Sequence, residues 1–253
     1  MLATMPRMTQ PVHVTAHFGA SGVLSPAPAM ITITGHIPGV AVRQYITVDH
    51  RWTALHAARL CGQLEPQLQT NDPKVEHRSL AMTAIFFAGA FRDALVNEVI
   101  LDVIEPPGGV PSARVAGLPI DTTTITAFKK VKKEPSTLGK YQQALAAAGK
   151  LPYTETRDPY KSALLLIRFR NHLVHFKPKT RDIHTDHEFE ELFMKAKIVE
   201  NQQDIGLPWF PNKALGAGLA QWACDSSWRF ARSWWNRIGL RRSFDTAFDK
   251  LAP

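Results

Sequence analysis

Apolar residues recur along most of this chain at helical spacing. From Arg51 onward the pattern predicts helices near 51–66, 77–103, 136–149, 158–176, 187–198 and 213–238. No internal repeat and no series of alternating strands follows residue 50, so 49–253 is expected to be an all-α helical bundle. Residues 1–48 break the pattern. Pro6, Pro11, Pro26, Pro28 and Pro38 interrupt short alternating stretches such as Ile31-Thr-Ile-Thr and Val40-Ala-Val. This part reads as a loose N-terminal extension, with a short β-hairpin as an option within it. The stretch 105–135 opens with Pro106-Pro-Gly-Gly, contains Phe128-Lys-Lys-Val-Lys-Lys, and reads as an irregular connection.

Composition narrows the class. With 45% apolar and 21% charged residues, 253 residues suffice for a real core and argue against a disordered chain. The longest apolar run, Leu80–Phe91, is bracketed by Arg78 and Arg92 and is shorter than the roughly 20 residues of a membrane helix. No charged start leads into an apolar stretch, so no secretory signal is expected. Cys61 and Cys224 lie far apart without zinc-type spacing, which fits a reduced, cytoplasmic protein with no metal and no cofactor. A net charge of +8 favours a polyanionic partner such as nucleic acid.

One helix carries unusual chemistry. In Leu165-Leu-Ile-Arg-Phe-Arg-Asn-His-Leu-Val-His-Phe-Lys-Pro178, with Arg170 set at zero, Leu165, Phe176, Phe169, Leu173 and Leu166 span about 220° to about 320° on an ideal wheel. Ala163, Val174 and Ile167 carry the apolar arc past zero to about 60°, so Arg170 projects from its middle. Asn171, His175, Arg168 and His172 share the other side. A guanidinium among hydrocarbons needs a partner, because desolvating it alone costs several kcal/mol. On the second helix Leu80, Ala84, Phe87, Phe91, Ala94 and Leu95 form one stripe that Glu98 continues, so Glu98 is expected to hold Arg170.

Arg170-Asn171-x-x-x-His175 on a late helix, preceded by Ala84-Ile-Phe-Phe-Ala-Gly-Ala-Phe-Arg-Asp-Ala-Leu-Val-Asn-Glu98, resembles the HEPN superfamily. Lys140-Tyr-Gln-Gln-Ala-Leu, Asp158-Pro-Tyr-Lys, His175-Phe-Lys-Pro178 and the segment from Trp209 to Trp222 are similar to a bacterial group within it. The likeness covers roughly residues 75–240. Other arginine–histidine pairs exist, but only this one combines an amphipathic helix, an asparagine directly after the arginine, and the matching second helix.

The resemblance implies a HEPN-like bundle that acts as a homodimer through the motif helix. It implies a metal-independent endoribonuclease, a toxin or antiphage defence factor, that cuts RNA through its own 2′-hydroxyl. In such a site His175 is the general base or acid, Arg170 stabilises the charged phosphorane, and Asn171 positions the histidine or a phosphate oxygen. A catalytically inactive HEPN-like module that binds RNA or protein is the alternative. Glu98 and His172 are supporting candidates, and Arg168, Lys177 and Lys179 are candidate RNA contacts. An antitoxin is a further partner for a toxin; a membrane is not.

The residue types suit that chemistry. A histidine can take and give a proton near neutral pH, and an arginine forks onto two phosphate oxygens. Arg170 and His175 diverge by about 140° on a straight helix, so two copies around a two-fold axis would complement one another. Whether Arg170 is catalytic or structurally paired is left open by the wheel. His172 is the alternative base. His184-x-x-His187 lacks a third placed ligand and reads as a solvated helix start. Trp222, Trp228, Phe230, Trp234 and Trp235, interleaved with arginines, read first as core and second as a stacking platform for RNA.

Overall fold

The computed structural model describes residues 43–68, 75–106, 109–178, 187–201, 208–241 and 243–245. The expected hairpin of the N-terminal extension lies outside the described residues, as do Lys179, His184 and Arg242. The described residues belong to one compact unit that begins at Arg43.

Among them the architecture is all-α. The helices are α1 (Thr47–Leu64), α2 (Val75–Ile104), α3 (Thr122–Val131), α4 (Thr137–Ala147), α5 (Tyr160–Val174), α6 (Glu190–Lys195) and α7 (Ala217–Ile238). No strand occurs among the described residues. The sequence pattern located six of these helices and missed α3. That helix lies within the stretch expected to be irregular, and Asp121 caps it by accepting the Thr124 N–H at 2.7 Å. Phe128 and Val131 turn inward while Lys129, Lys130, Lys132 and Lys133 face solvent, so the basic run is the wet side of a helix end.

Local chemistry sets the other boundaries. Ser136 caps α4 by accepting the Gly139 N–H at 3.0 Å, and Glu134 Oε1 accepts the Ser136 N–H at 3.1 Å. Gly239 closes α7 in the left-handed region at φ 89°, where a side chain is disfavoured. Two helix starts are capped from elsewhere in the fold. Glu98 accepts the Ile46 and Thr47 N–H groups ahead of α1, and Glu65 accepts the Ala217 N–H at 2.6 Å at the start of α7.

At 30 residues, or about 45 Å, α2 is the spine. By length and composition it could cross a membrane, with mean hydropathy 1.4 over its most apolar window. Within the fold it is a core helix packed by α1, α3, α4, α5 and α7. Its second half joins α3, α4, the start of α5 and the end of α7 around Phe128, Tyr141, Phe230 and Trp234. Its first half joins α1, the rest of α5 and the start of α7 around Ala84, Phe169, Phe193 and Leu219. Trp222, Trp234, Trp235 and Phe230 are buried and Trp228 is half-buried, while Arg229, Arg232 and Arg237 stay exposed. The aromatic residues of α7 are core, in line with the first of their two readings.

Candidate functional site

The motif helix, α5, lies over α2 at Gly89. There the stem of Arg170 packs over the α2 backbone, its Cγ 3.9 Å from where a Cβ on Gly89 would stand, which is ordinary van der Waals contact. Arg170 is half-buried rather than sunk in the core. Its Nη1 donates to the neighbouring Asn171 Oδ1 at 3.1 Å. Together the two residues line a cleft of about 750 Å³ between α2, α4 and α5.

Glu98 does not hold Arg170. Its Oε1 accepts the backbone N–H groups of Ile46 and Thr47 at 2.8 and 2.9 Å, and its Oε2 accepts from Arg114 Nη1 at 2.9 Å. One turn on, the buried Asp102 accepts from Arg43 at 2.9 Å and from the Tyr45 hydroxyl at 2.7 Å. These two carboxylates tie the segment before α1 and the loop carrying Arg114 onto α2. The sequence placed Glu98 on the right stripe and the wrong neighbour, because a wheel shows a face and not what covers it.

The chain does bury an arginine, and it is Arg92. Only 1% of this residue is exposed. Its Nη1 donates to the Ala163 carbonyl of α5 at 2.9 Å, and the Tyr141 hydroxyl donates to its own backbone carbonyl at 2.9 Å. Burial lowers the pKa of Arg92 to about 10 and pushes the Tyr141 hydroxyl well up. Sequence reasoning took Arg92 as the bracket of an apolar run. The usable signal was its spacing: Leu95, Val96 and Val99 follow at three, four and seven residues, which places the arginine inside the stripe.

The remaining motif residues fall elsewhere. His175 is the C-cap of α5, exposed, with its N–H donating to the Asn171 carbonyl at 2.9 Å, and it does not line the Arg170–Asn171 cleft. Beside it Val174 and Phe176 are large apolar residues left 48% and 49% exposed. Arg168 and Lys177 are exposed too. His172 does not join the polar side expected of it. It packs among Phe169, Phe189, Phe210 and His187, with ring centroids 5.2 to 6.2 Å away, and its Nδ1 lies 3.7 Å from Glu188 Oε1.

Among the described residues, two groups of side chains could hold a metal ion, each with ligand atoms within 4.8 Å of one another. His172, His187 and Glu188 form the first, on segments that sequence spacing does not connect. Here His187 Nδ1 already accepts the Phe189 N–H at 3.3 Å. Cys61, Glu65 and His77 form the second. Glu65 Oε2 meets His77 Nε2 at 2.7 Å while also capping α7, and burial raises the Cys61 thiol to about 12. Both carboxylate and thiol there act as structural groups.

Comparison with protein-family models, with curated proteins and with solved structures finds no match. The likeness to the HEPN superfamily rests on the motifs quoted from the sequence.

Proposed function

We propose that this chain is a HEPN-type, metal-independent endoribonuclease that works as a homodimer joined near the end of α5. The supporting observation is the placement of the motif on one helix. Arg170 and Asn171 share a cleft, and His175 stands at the exposed end of the same helix beside the half-exposed Val174 and Phe176. An exposed apolar end next to a titratable imidazole suits a two-fold contact that brings each His175 toward the partner's cleft. In the reaction the 2′-hydroxyl loses its proton to a base and attacks the adjacent phosphorus. The P–O5′ bond breaks, the leaving oxygen takes a proton, and a 2′,3′-cyclic phosphate remains. His175 takes the proton from the 2′-hydroxyl and returns one to the leaving 5′-oxygen, and Arg170 stabilises the negative charge on the phosphorane.

A second reading has its own support: His175 lies outside the Arg170–Asn171 cleft of its own protomer, which fits an RNA- or protein-binding module without catalysis. Incubation of RNA with the protein in chelator separates the two. The enzyme reading expects cyclic-phosphate ends by mass spectrometry and a dimer by sedimentation, with His175→Ala folded, dimeric and at least about 100-fold slower. Intact RNA recovered from a salt-sensitive complex would leave the binding module.

A further inference from the structure

Sequence spacing leaves His187 without a third metal ligand, and the fold supplies one from another helix. His172, in the last turn of α5, and Glu188 stand beside His187, with one ligand atom from each residue within 4.8 Å of the other two. His172 Nδ1 and Glu188 Oε1 are 3.7 Å apart, too far for a direct hydrogen bond. With bonds of about 2.0–2.2 Å to a tetrahedral ion, two ligand atoms stand about 3.3–3.6 Å apart, so this gap has the width an ion needs. The trio of Cys61, Glu65 and His77 differs. There Glu65 and His77 have closed to 2.7 Å on a direct bond, and the same carboxylate oxygen also serves α7.

Both imidazoles are held in place by packing. The His172 side chain is 18% exposed, and its ring lies among Phe169, Phe176, Phe189 and Phe210 with centroids 5.2 to 6.2 Å away. His187 stacks on Phe210 at 5.1 Å and on Trp209 at 5.2 Å. Its backbone is fixed by Glu190, whose Oε2 accepts the His187 N–H at 3.2 Å and whose N–H donates to the His187 carbonyl at 2.8 Å. The Phe189 N–H reaches His187 Nδ1 at 3.3 Å, a long contact that a metal bond outweighs. Aromatic rings keep water from the inner side of the group, which strengthens the attraction between a cation and the Glu188 carboxylate. Glu188, with its side chain 48% exposed, is at liberty to close on an ion and leaves the fourth position to water.

We infer that His172, His187 and Glu188 bind one divalent transition-metal ion of the zinc class, which pins the end of α5 to the segment ahead of α6. Two imidazole nitrogens and one carboxylate suit zinc, nickel or cobalt, whereas magnesium and calcium favour all-oxygen sites. The three residues lie outside the Arg170–Asn171 cleft, so the site is separate from the proposed reaction and is read without RNA. Full-length chain, stripped with chelator and dialysed, is titrated with zinc chloride against a chromophoric zinc chelator. A parallel titration uses cobalt(II) chloride, whose visible bands report tetrahedral coordination. One equivalent of zinc should bind, at least about 100-fold more tightly than magnesium, and should raise the melting temperature. His172→Gln, His187→Gln and Glu188→Gln should each weaken zinc about tenfold or more, while His56→Gln, exposed on α1, should not. Circular dichroism checks the folds; if His172→Gln, set among aromatic rings, does not fold, the His187 and Glu188 variants carry the test. Absence of zinc uptake, unchanged uptake by the folded variants, or loss of uptake on Cys61→Ala instead overturns the site. RNA cleavage in chelator by a chain that takes up no zinc would keep the nuclease and refute the metal site. Zinc uptake by a chain that leaves RNA intact would do the reverse.

Discussion

The Glu98 carboxylate accepts the backbone N–H of Thr47 at 2.9 Å, across 51 residues of sequence, and so caps the start of a helix to which it does not belong. Its other oxygen holds Arg114 at 2.9 Å. Replacing Glu98 by alanine leaves two N–H groups and a part-buried guanidinium without their acceptor, and should cost about 2–3 kcal/mol by urea denaturation. Because Arg170 is bound elsewhere, the Glu98→Ala/Arg170→Ala pair should be additive to within about 0.5 kcal/mol. A larger coupling energy would revive the direct pair between them.

Glu65 performs the same service for α7 while meeting the fully buried His77. Glu65→Ala removes the acceptor of both and should lower stability by about 2–4 kcal/mol. Glu65→Gln keeps an acceptor for one of them and should recover part of the loss. Equal melting temperatures for the two variants would contradict this account.

At Gly218, in the first turn of α7, an added Cβ would run into the Val199 carbonyl oxygen and the Val199 side chain. The glycine is there for close approach rather than for unusual backbone angles. Gly218→Ala should destabilise by about 1–3 kcal/mol in thermal melts, even though alanine is the better helix former. A neutral or stabilising result would show that the segment around Val199 yields.

Burial raises both thiols, Cys61 and Cys224, from 9.0 to about 12 in the folded chain. The folded state then keeps a proton that the unfolded state releases, so stability is full below about pH 9 and falls as pH rises toward 12. The expected slope is about 1 kcal/mol per pH unit per thiol at its steepest. Arg92 acts with the opposite sign, since burial holds its folded value near 10, below that of an ordinary arginine, and it restores stability only above pH 10. Denaturation between pH 8 and 10 should therefore weaken the wild type more than Cys61→Ala/Cys224→Ala. A thiol reagent at pH 8 should react slowly with the native protein and with both cysteines once it is unfolded.

Helix positions were readable because apolar spacing reports burial directly, as in Leu166 and Phe169 of α5 or Trp234 and Trp235 of α7. α3 escaped because its run of threonines is a poor helix former; what holds it is the Asp121 cap and the burial of Phe128 and Val131 against α2 and α4. The candidate site was half legible. Arg170 and Asn171 do share a cleft, but the wheel assigned Glu98 the wrong partner and set His172 on a wet face, where the fold supplies an aromatic cluster. Long-range packing decides such matters, and periodicity carries no information about it. The contribution of α4 was out of reach for the same reason.

Since α2 furnishes a wall to both halves of the interior, neither half can loosen without disturbing the rod that they share. Melting should be cooperative across the whole unit, with near- and far-ultraviolet dichroism vanishing together in one sigmoidal step.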